Sequence, residues 1–311
     1  MTRDYALYGL RLRSALPLPG APPWAGPPDR PADATIVVGP VPARLEAAVH
    51  SGPLLQVDAA GRVRHEVRGI AAFLVEGGRQ ITVAPAAGTA EGEVRLFLLA
   101  TPLGVLFHQR GLLPLHASTV AIGGQAVALA GPSAAGKSTL AAALLAAGGQ
   151  LLADDLTVVD PAAPGGPLVL PGMPQQKLWR DSLEALGIAA DEQVRPGTAM
   201  EKFVRRVPDA FAAAPCRLAA VCHLGGGPAD GAPRLTALTG ARAVHGLREQ
   251  VYRLHAARAM ALDDRLLLHC ARLAGQVPQF RLERGGGLPA LAGLARAVIG
   301  ALAGTAAGAL R

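Results

Sequence analysis

Lysine is nearly missing from this 311-residue chain: Lys137, Lys177 and Lys202 stand against 27 arginines. Such a bias usually reflects a GC-rich genome, and under it a lysine that persists is a candidate for a place where a compact, rotatable ammonium cannot be exchanged for a planar fork. Aromatic residues are also few, at 4%, and the arginines are scattered with no basic run between them. A nucleic-acid surface needs a charge stripe or stacking platform, so the formal charge of +7 does not point to nucleic acid. Three cysteines, Cys216, Cys222 and Cys270, cannot all pair within one chain, and no short Cys-x-x-Cys knuckle sets up a zinc site. They read as reduced thiols of a cytoplasmic protein. The last uncharged apolar stretch, Ala297 to Leu310, is shorter than the roughly 20 residues of a membrane span. The opening MTRDYALYGLRLRS carries charges where a secretory leader would be apolar, so no signal peptide is expected.

Hydrophobic residues make up half of the chain, enough for a large core in one or two domains. Residues 1–93 alternate short strand-like runs (Tyr5–Arg13, Thr35–Val38, Leu54–Val57, Val63–Val67, Ala72–Val75, Gln80–Val83) with Gly, Pro and Asp punctuation, which predicts a small β-rich domain. Within it Leu16–Pro31 reads as an extended, semi-rigid surface connection. Residues 94–111 change to helical spacing, with Pro102 as a kink, and form a connecting helix. Residues 112–311 form the last domain, opening with a hairpin, Leu115–Ile122 and Gln125–Ala130, turned by Gly123-Gly124.

The second hairpin strand runs into Gly131, Pro132, Ser133, Ala134, Ala135, Gly136, Lys137, Ser138 and Thr139, a full G-x-x-x-x-G-K-[ST] ahead of an Ala/Leu-rich helix. Glycines let successive backbone N–H groups and a helix N-terminus face one anion. Lys137 then reaches the β- and γ-phosphates and Ser138 ligates Mg²⁺, so the motif predicts binding of a nucleoside triphosphate with Mg²⁺. Gly148-Gly149 closes the helix, and the next strand, Gln150–Ala153, ends in Asp154-Asp155. A strand returning beside the loop's own strand would bring these carboxylates to the phosphates, one to hold Mg²⁺ directly or through water, the other to accept a proton from an attacking hydroxyl. His116, in the hairpin's first strand, is within reach of the same place.

The His116 hairpin, the loop GPSAAGKST and the strand end LLADD together resemble the catalytic core of the HPr kinase/phosphorylase family, related in fold to the ATP-dependent phosphoenolpyruvate carboxykinases. The resemblance is specific from His116 to Asp155 and looser beyond. It implies an α/β fold, a P-loop kinase core with a mixed sheet behind a small β-rich domain. It also implies that Lys137 and Ser138 hold phosphate and Mg²⁺, that His116 lies at the active site, and that Asp155 is the catalytic base with Asp154 supporting it at the metal. Leu168–Trp179 departs from the family, because no acidic Mg²⁺ ligand precedes an Arg-Gly-rich segment there. Instead YALYGLRLRSALPLP, PGMPQQKLWRDSLEALG and EKFVRRV are similar to HPr-kinase-like proteins found with lasso-peptide and other modified-peptide biosynthesis, some of which phosphorylate a serine of a precursor peptide.

Lys177, Lys202, Arg205 and Arg206 are the remaining candidates for charge compensation at the phosphates or for an acidic peptide. The expectation is an ATP- and Mg²⁺-dependent kinase acting on a serine of a peptide or protein, with the β-rich domain positioning the substrate or forming a homo-oligomer contact. Two rivals are a small-molecule kinase and a nucleotide-binding regulatory protein without transfer. The first usually begins at its P-loop strand, unlike this chain; the second has no need of Lys137, Ser138 and both aspartates together.

Overall fold

The computed structural model describes residues 2–226, 233–285 and 291–308. It is a mixed α/β protein with several sheets, divided into two compact units: Met1–Pro114 with Tyr252–Leu266, and Leu115–Val251 with Leu267–Arg311. The second unit is therefore not the continuous 112–311 stretch that sequence suggests.

The first unit holds eight strands: β1 (Arg3–Leu7), β2 (Leu10–Ser14), β3 (Ala34–Val38), β4 (Ala48–Ser51), β5 (Leu55–Asp58), β6 (Val63–Val67), β7 (Ala71–Glu76) and β8 (Gln80–Pro85). Their order in one sheet is β1-β2-β3-β8-β7-β6-β5-β4, antiparallel except where β3 runs parallel to both neighbours. The period-2 pattern puts Phe73 and Val75 opposite Val83 and Ile81, all four fully buried on one face. The first part of Leu16–Pro31 is held more firmly than a surface connection, while residues 25–31 are exposed. Ala6 N–H donates to Pro22 O, Leu18 N–H to the Tyr5 hydroxyl, and Leu18 is buried. The expected kinked helix is two helices, α1 (Glu91–Leu98) and α2 (Thr101–Gln109). The backbone leaves helical geometry at Ala100, and Pro102 falls in the first turn of α2, where its missing N–H has no helical partner to lose. Tyr252–Leu266 fold against α2: the His108 ring lies 2.7 Å from Tyr252 O and the Arg265 guanidinium donates to His108 O at 2.6 Å.

The second unit contains β10 (Ala117–Ile122), β11 (Gln125–Ala130), α3 (Lys137–Ala146), β12 (Gln150–Ala153), β13 (Thr157–Asp160), β14 (Leu168–Leu170), β15 (Gln175–Trp179), α4 (Arg180–Leu186), β16 (Glu192–Gln193), β17 (Lys202–Arg206), β18 (Cys216–Gly226), β19 (Arg234–Leu238), α5 (Gly240–Glu249), β20 (Gln279–Arg284) and α8 (Leu291–Gly308). An edge strand, β9 (Leu113–Leu115), precedes it; α6 (Leu254–Ala259) belongs to the first unit, and α7 (Asp263–Gln276) begins there. The large sheet runs β12-β10-β11-β18-β14-β13-β9, with β20 pairing to β18 and β19. A separate three-stranded sheet has the order β15-β17-β16. The β10/β11 hairpin turns at Gly123 and Gly124, both at positive φ, as a two-residue glycine turn requires. Beneath α3 lies a core that includes Val127, Leu129, Leu140, Leu144 and Cys222.

One placement differs from expectation in a way that builds the site. β12 is not beside β11; β10 lies between, antiparallel to both, so β11 and β12 point the same way and end at one edge of the sheet. Residue 116, just before β10, falls between those two ends. Residues 243–256, whose sequence pattern reads as one helix, form α5 and α6, separated where Arg253 takes a positive φ. The final helix, which the sequence pattern places at about Leu288–Leu302, begins at Leu291, and residues 288–290 lie outside the described residues. Among the described residues no helix is long and apolar enough to cross a membrane.

Candidate active site

The loop between β11 and α3 starts at a residue that must be glycine. Gly131 has φ +149°, and a Cβ there would stand 3.0 Å from Leu224 O. At the other end Gly136, at φ +84°, begins α3 with no side-chain cap and no acidic residue in the first turn. The orphan N–H groups and positive pole of α3 are thus left for an anion. Pro132, Ser133 and Ala134 are exposed, while Lys137 is 7% exposed and folds back so that Nζ donates to Gly131 O at 2.8 Å and Pro132 O at 2.9 Å. Burial depresses the Lys137 amine to about 8, against the pull of Asp155 and Asp154.

The two aspartates at the end of β12 diverge because Asp155 has φ +71°, an uncommon geometry for a residue other than glycine. Asp154 Oδ1 accepts from the Ser118 hydroxyl at 2.5 Å and Oδ2 from the Lys177 backbone N–H at 2.8 Å. It therefore ties β10 to β15. Asp155 turns the other way, its Oδ2 3.5 Å from Lys177 Nζ and its Oδ1 3.5 Å from His116 Nδ1. The His116 ring also lies 3.2 Å from Asp155 O. Burial would raise the Asp155 carboxyl, but the charges of Lys177, Lys202 and His116 together hold it below the usual carboxylate range. Burial, reinforced by Lys137, lowers His116, so its ring is neutral at pH 7 despite Asp155.

Lys177 alone pairs with Asp155, while Lys137 and Lys202 act on it only through their charge. Lys177 comes from β15 and Lys202 from β17, on the same face of the small sheet, where Trp179 pairs with Lys202 and the ammonium sits 5.7 Å from the indole centroid. Arg205 and Arg206 are not brought there. Arg205 donates to Gln176 Oε1 at 3.2 Å, and Arg206 pairs with Glu192 at 2.7 Å. Sequence reading passed over Ser118, Gln176 and Gln250. Ser118 holds Asp154, Gln176 donates to Ser138 O at 3.3 Å, and the Gln250 side chain accepts from Gly131 N–H at 2.9 Å. Only Ser118 had a signal, its place two residues after His116.

No family model matches this chain. No curated protein matches it either. Among solved structures it is similar to the Hpr(Ser) kinase/phosphatase from Coxiella burnetii, at 14% identity over 63% of this chain and 95% of that one, with a TM-score of 0.33. A likeness of that size decides neither fold nor activity, and the functional reading stands on the site itself.

Proposed function

We propose that this chain is an ATP- and Mg²⁺-dependent kinase that transfers the γ-phosphoryl group to a hydroxyl, with serine of a peptide or protein as acceptor. The observation that carries the reading is Asp155 paired with Lys177 at 3.5 Å and within the electrostatic influence of Lys137 and Lys202, beside an uncapped helix N-terminus, in a chain with 27 arginines and no other lysine. A structural ion pair has no need of three ammonium groups around one carboxylate. A triphosphate with a nearby proton acceptor does.

In this reading the loop N–H groups and Lys137 hold the β- and γ-phosphates, and Lys177 and Lys202 offset charge on the side where the acceptor enters. The acceptor oxygen bonds to the γ-phosphorus, the bond to the β,γ-bridging oxygen breaks, and ADP leaves with its electron pair. The hydroxyl proton passes to Asp155, which is ionised at neutral pH. A bound triphosphate cancels part of the lysine charge and so raises the affinity of Asp155 for that proton. Neutral His116 orients Asp155 through its main-chain oxygen. The residues fit Mg²⁺: the Ser138 hydroxyl has no protein partner among the described residues, and no three His, Cys, Asp or Glu side chains cluster there into a cage of their own. Ser138 and Asp154, whose oxygens already accept from Ser118 and the Lys177 N–H, are the residues that would hold the ion. Bound there, Mg²⁺ would supply charge neutralisation for the phosphates.

Serine on a polypeptide follows from the family resemblance and from the demand for in-line approach within reach of Asp155, which a flexible chain meets readily. Incubation of the full chain with Mg²⁺ and γ-labelled ATP, in the presence of serine-containing peptides, an HPr-like protein or small alcohols, tests it. Label is expected on a peptide or protein serine. Label on small alcohols alone would transfer the assignment to a small-molecule kinase, and nucleotide binding with no labelled product to a regulatory protein.

A further inference from the structure

Gln250 ends α5, 119 residues after Gly131, and both of its polar ends are used inside the site. Its side-chain Oε1 accepts the Gly131 N–H at 2.9 Å, and its main-chain oxygen accepts the His116 N–H at 2.7 Å. Each contact continues inward. Gly131 O accepts from Lys137 Nζ at 2.8 Å, and the His116 ring lies 3.2 Å from Asp155 O. One residue therefore connects the arm that carries the phosphate-binding lysine to the arm that carries the proton acceptor. Gly131 is buried at φ +149°, against Leu224 and Ala135, and Gln250 supplies the hydrogen-bond acceptor for its N–H.

We infer that Gln250 is a positioning residue for nucleotide binding and transfer, setting the Gly131 peptide through its side-chain oxygen and His116 through its backbone. This rests on the kinase reading above. The two contacts separate experimentally, because substitution removes the side-chain acceptor and leaves the main-chain one. In Gln250→Met, of similar length but without an acceptor, the Gly131 N–H loses its partner and the loop can no longer present Gly131 O and Lys137 in one fixed relation. In Gln250→Glu an acceptor oxygen remains, and a negative charge is added one hydrogen bond from the loop; protonation of that carboxyl restores a neutral isostere.

The test uses the full chain with three readouts: amide exchange at Gly131 by NMR on glycine-labelled protein, calorimetric affinity for Mg²⁺–ATP, and the thermal midpoint. Gln250→Met is expected to speed Gly131 exchange at least tenfold and to weaken Mg²⁺–ATP about tenfold, with the midpoint lowered by no more than the several degrees that an orphaned buried N–H costs. Gln250→Glu should keep Gly131 protected, weaken Mg²⁺–ATP at pH 7, and recover toward wild type as pH falls to 5, a profile that a merely structural role would not produce. Should Gln250→Met fail to fold, the Gln250→Glu profile decides alone. Unchanged Gly131 exchange and wild-type affinity in Gln250→Met, or a Gln250→Glu affinity that tracks wild type at every pH, overturns the inference. Absence of nucleotide binding in the wild-type chain is a different result, which overturns the kinase reading and leaves the Gly131 exchange data to judge the hydrogen bond.

Discussion

The left-handed backbone at Asp155 turns two adjacent carboxylates toward different partners, and substitution should separate the roles proposed for them. Asp155→Asn keeps the size and removes a negative charge near the phosphates, so Mg²⁺–ATP affinity should be retained or tightened while transfer falls by at least about 10²-fold. Asp154→Asn instead can keep both partners, its oxygen on the Lys177 N–H and its NH₂ on a Ser118 hydroxyl turned to accept, but exchanges two charge-assisted hydrogen bonds for neutral ones. That exchange should cost about 1 kcal/mol in denaturant melts. If Asp155→Asn turns over normally with its acceptor, Asp155 is not the base. Lys137 carries a pH prediction. Its amine, at about 8 in the free protein, is protonated below that pH and loses its charge above it; triphosphate restores the proton. Affinity should therefore be flat up to pH 8 and fall by up to tenfold per unit above it, with proton uptake visible as a dependence of binding enthalpy on buffer. A flat profile to pH 9.5 would contradict this. Lys137, Ser138, the aspartate pair and His116 stand out in the sequence as candidates because motif spacing exposes them. Gln250 could not, since no local pattern marks a residue whose partner is 119 positions away.

At the scale of elements, the passage from α3 into β12 decides whether the aspartates reach the loop. Gly148, at φ +92°, donates to Leu145 O and Gly149 to Leu144 O, a glycine-dependent helix stop. At Gly149 the chain turns so tightly that a Cβ would meet Val120 Cγ1 at 2.7 Å and Leu144 O at 3.0 Å. Gly149→Ala should thus destabilise the chain by about 1–3 kcal/mol, a drop of several degrees in thermal midpoint, and weaken nucleotide binding with it. A neutral Gly149→Ala would mean that β10 can shift to make room. The Gly-Gly hairpin and this helix stop were legible in the sequence because glycine marks both. The insertion of β10 between β11 and β12 was not, since alternation identifies a strand and its buried face without naming its neighbours. For the same reason Lys177 and Lys202 stayed mere candidates until the β15/β17 register, with Lys177 opposite Val204 and Trp179 opposite Lys202, put them on one face.

Across the whole molecule the chain is interlaced, and this governs what can be cut away. Composition and period changes place a boundary near residue 112, yet Tyr252–Leu266 belong to the N-terminal unit. Tyr252, Ala256, Ala257 and Leu266 are buried, and α2 binds this segment through His108 O, the His108 ring and the tight contact of Gly104 with the Tyr252 ring. A chain beginning at Leu115 would keep every loop and carboxylate residue named above but would expose that apolar segment in the middle of its own sequence. Such a truncation is expected to aggregate, or to melt without the Mg²⁺–ATP-dependent rise of about 2.7 kcal/mol that the full chain should show at a hundredfold excess over Kd. Replacing residues 252–266 of the truncated chain with a Gly/Ser linker of equal length removes the exposed surface and should restore solubility and the nucleotide-dependent shift. A simple truncation that stays monomeric and binds Mg²⁺–ATP like the full chain would show that the segment is carried by the second unit after all. Failure of the linker version alone would mean that its place in the first unit is also needed to keep Gln250 and Val251 in register with Leu115 and His116.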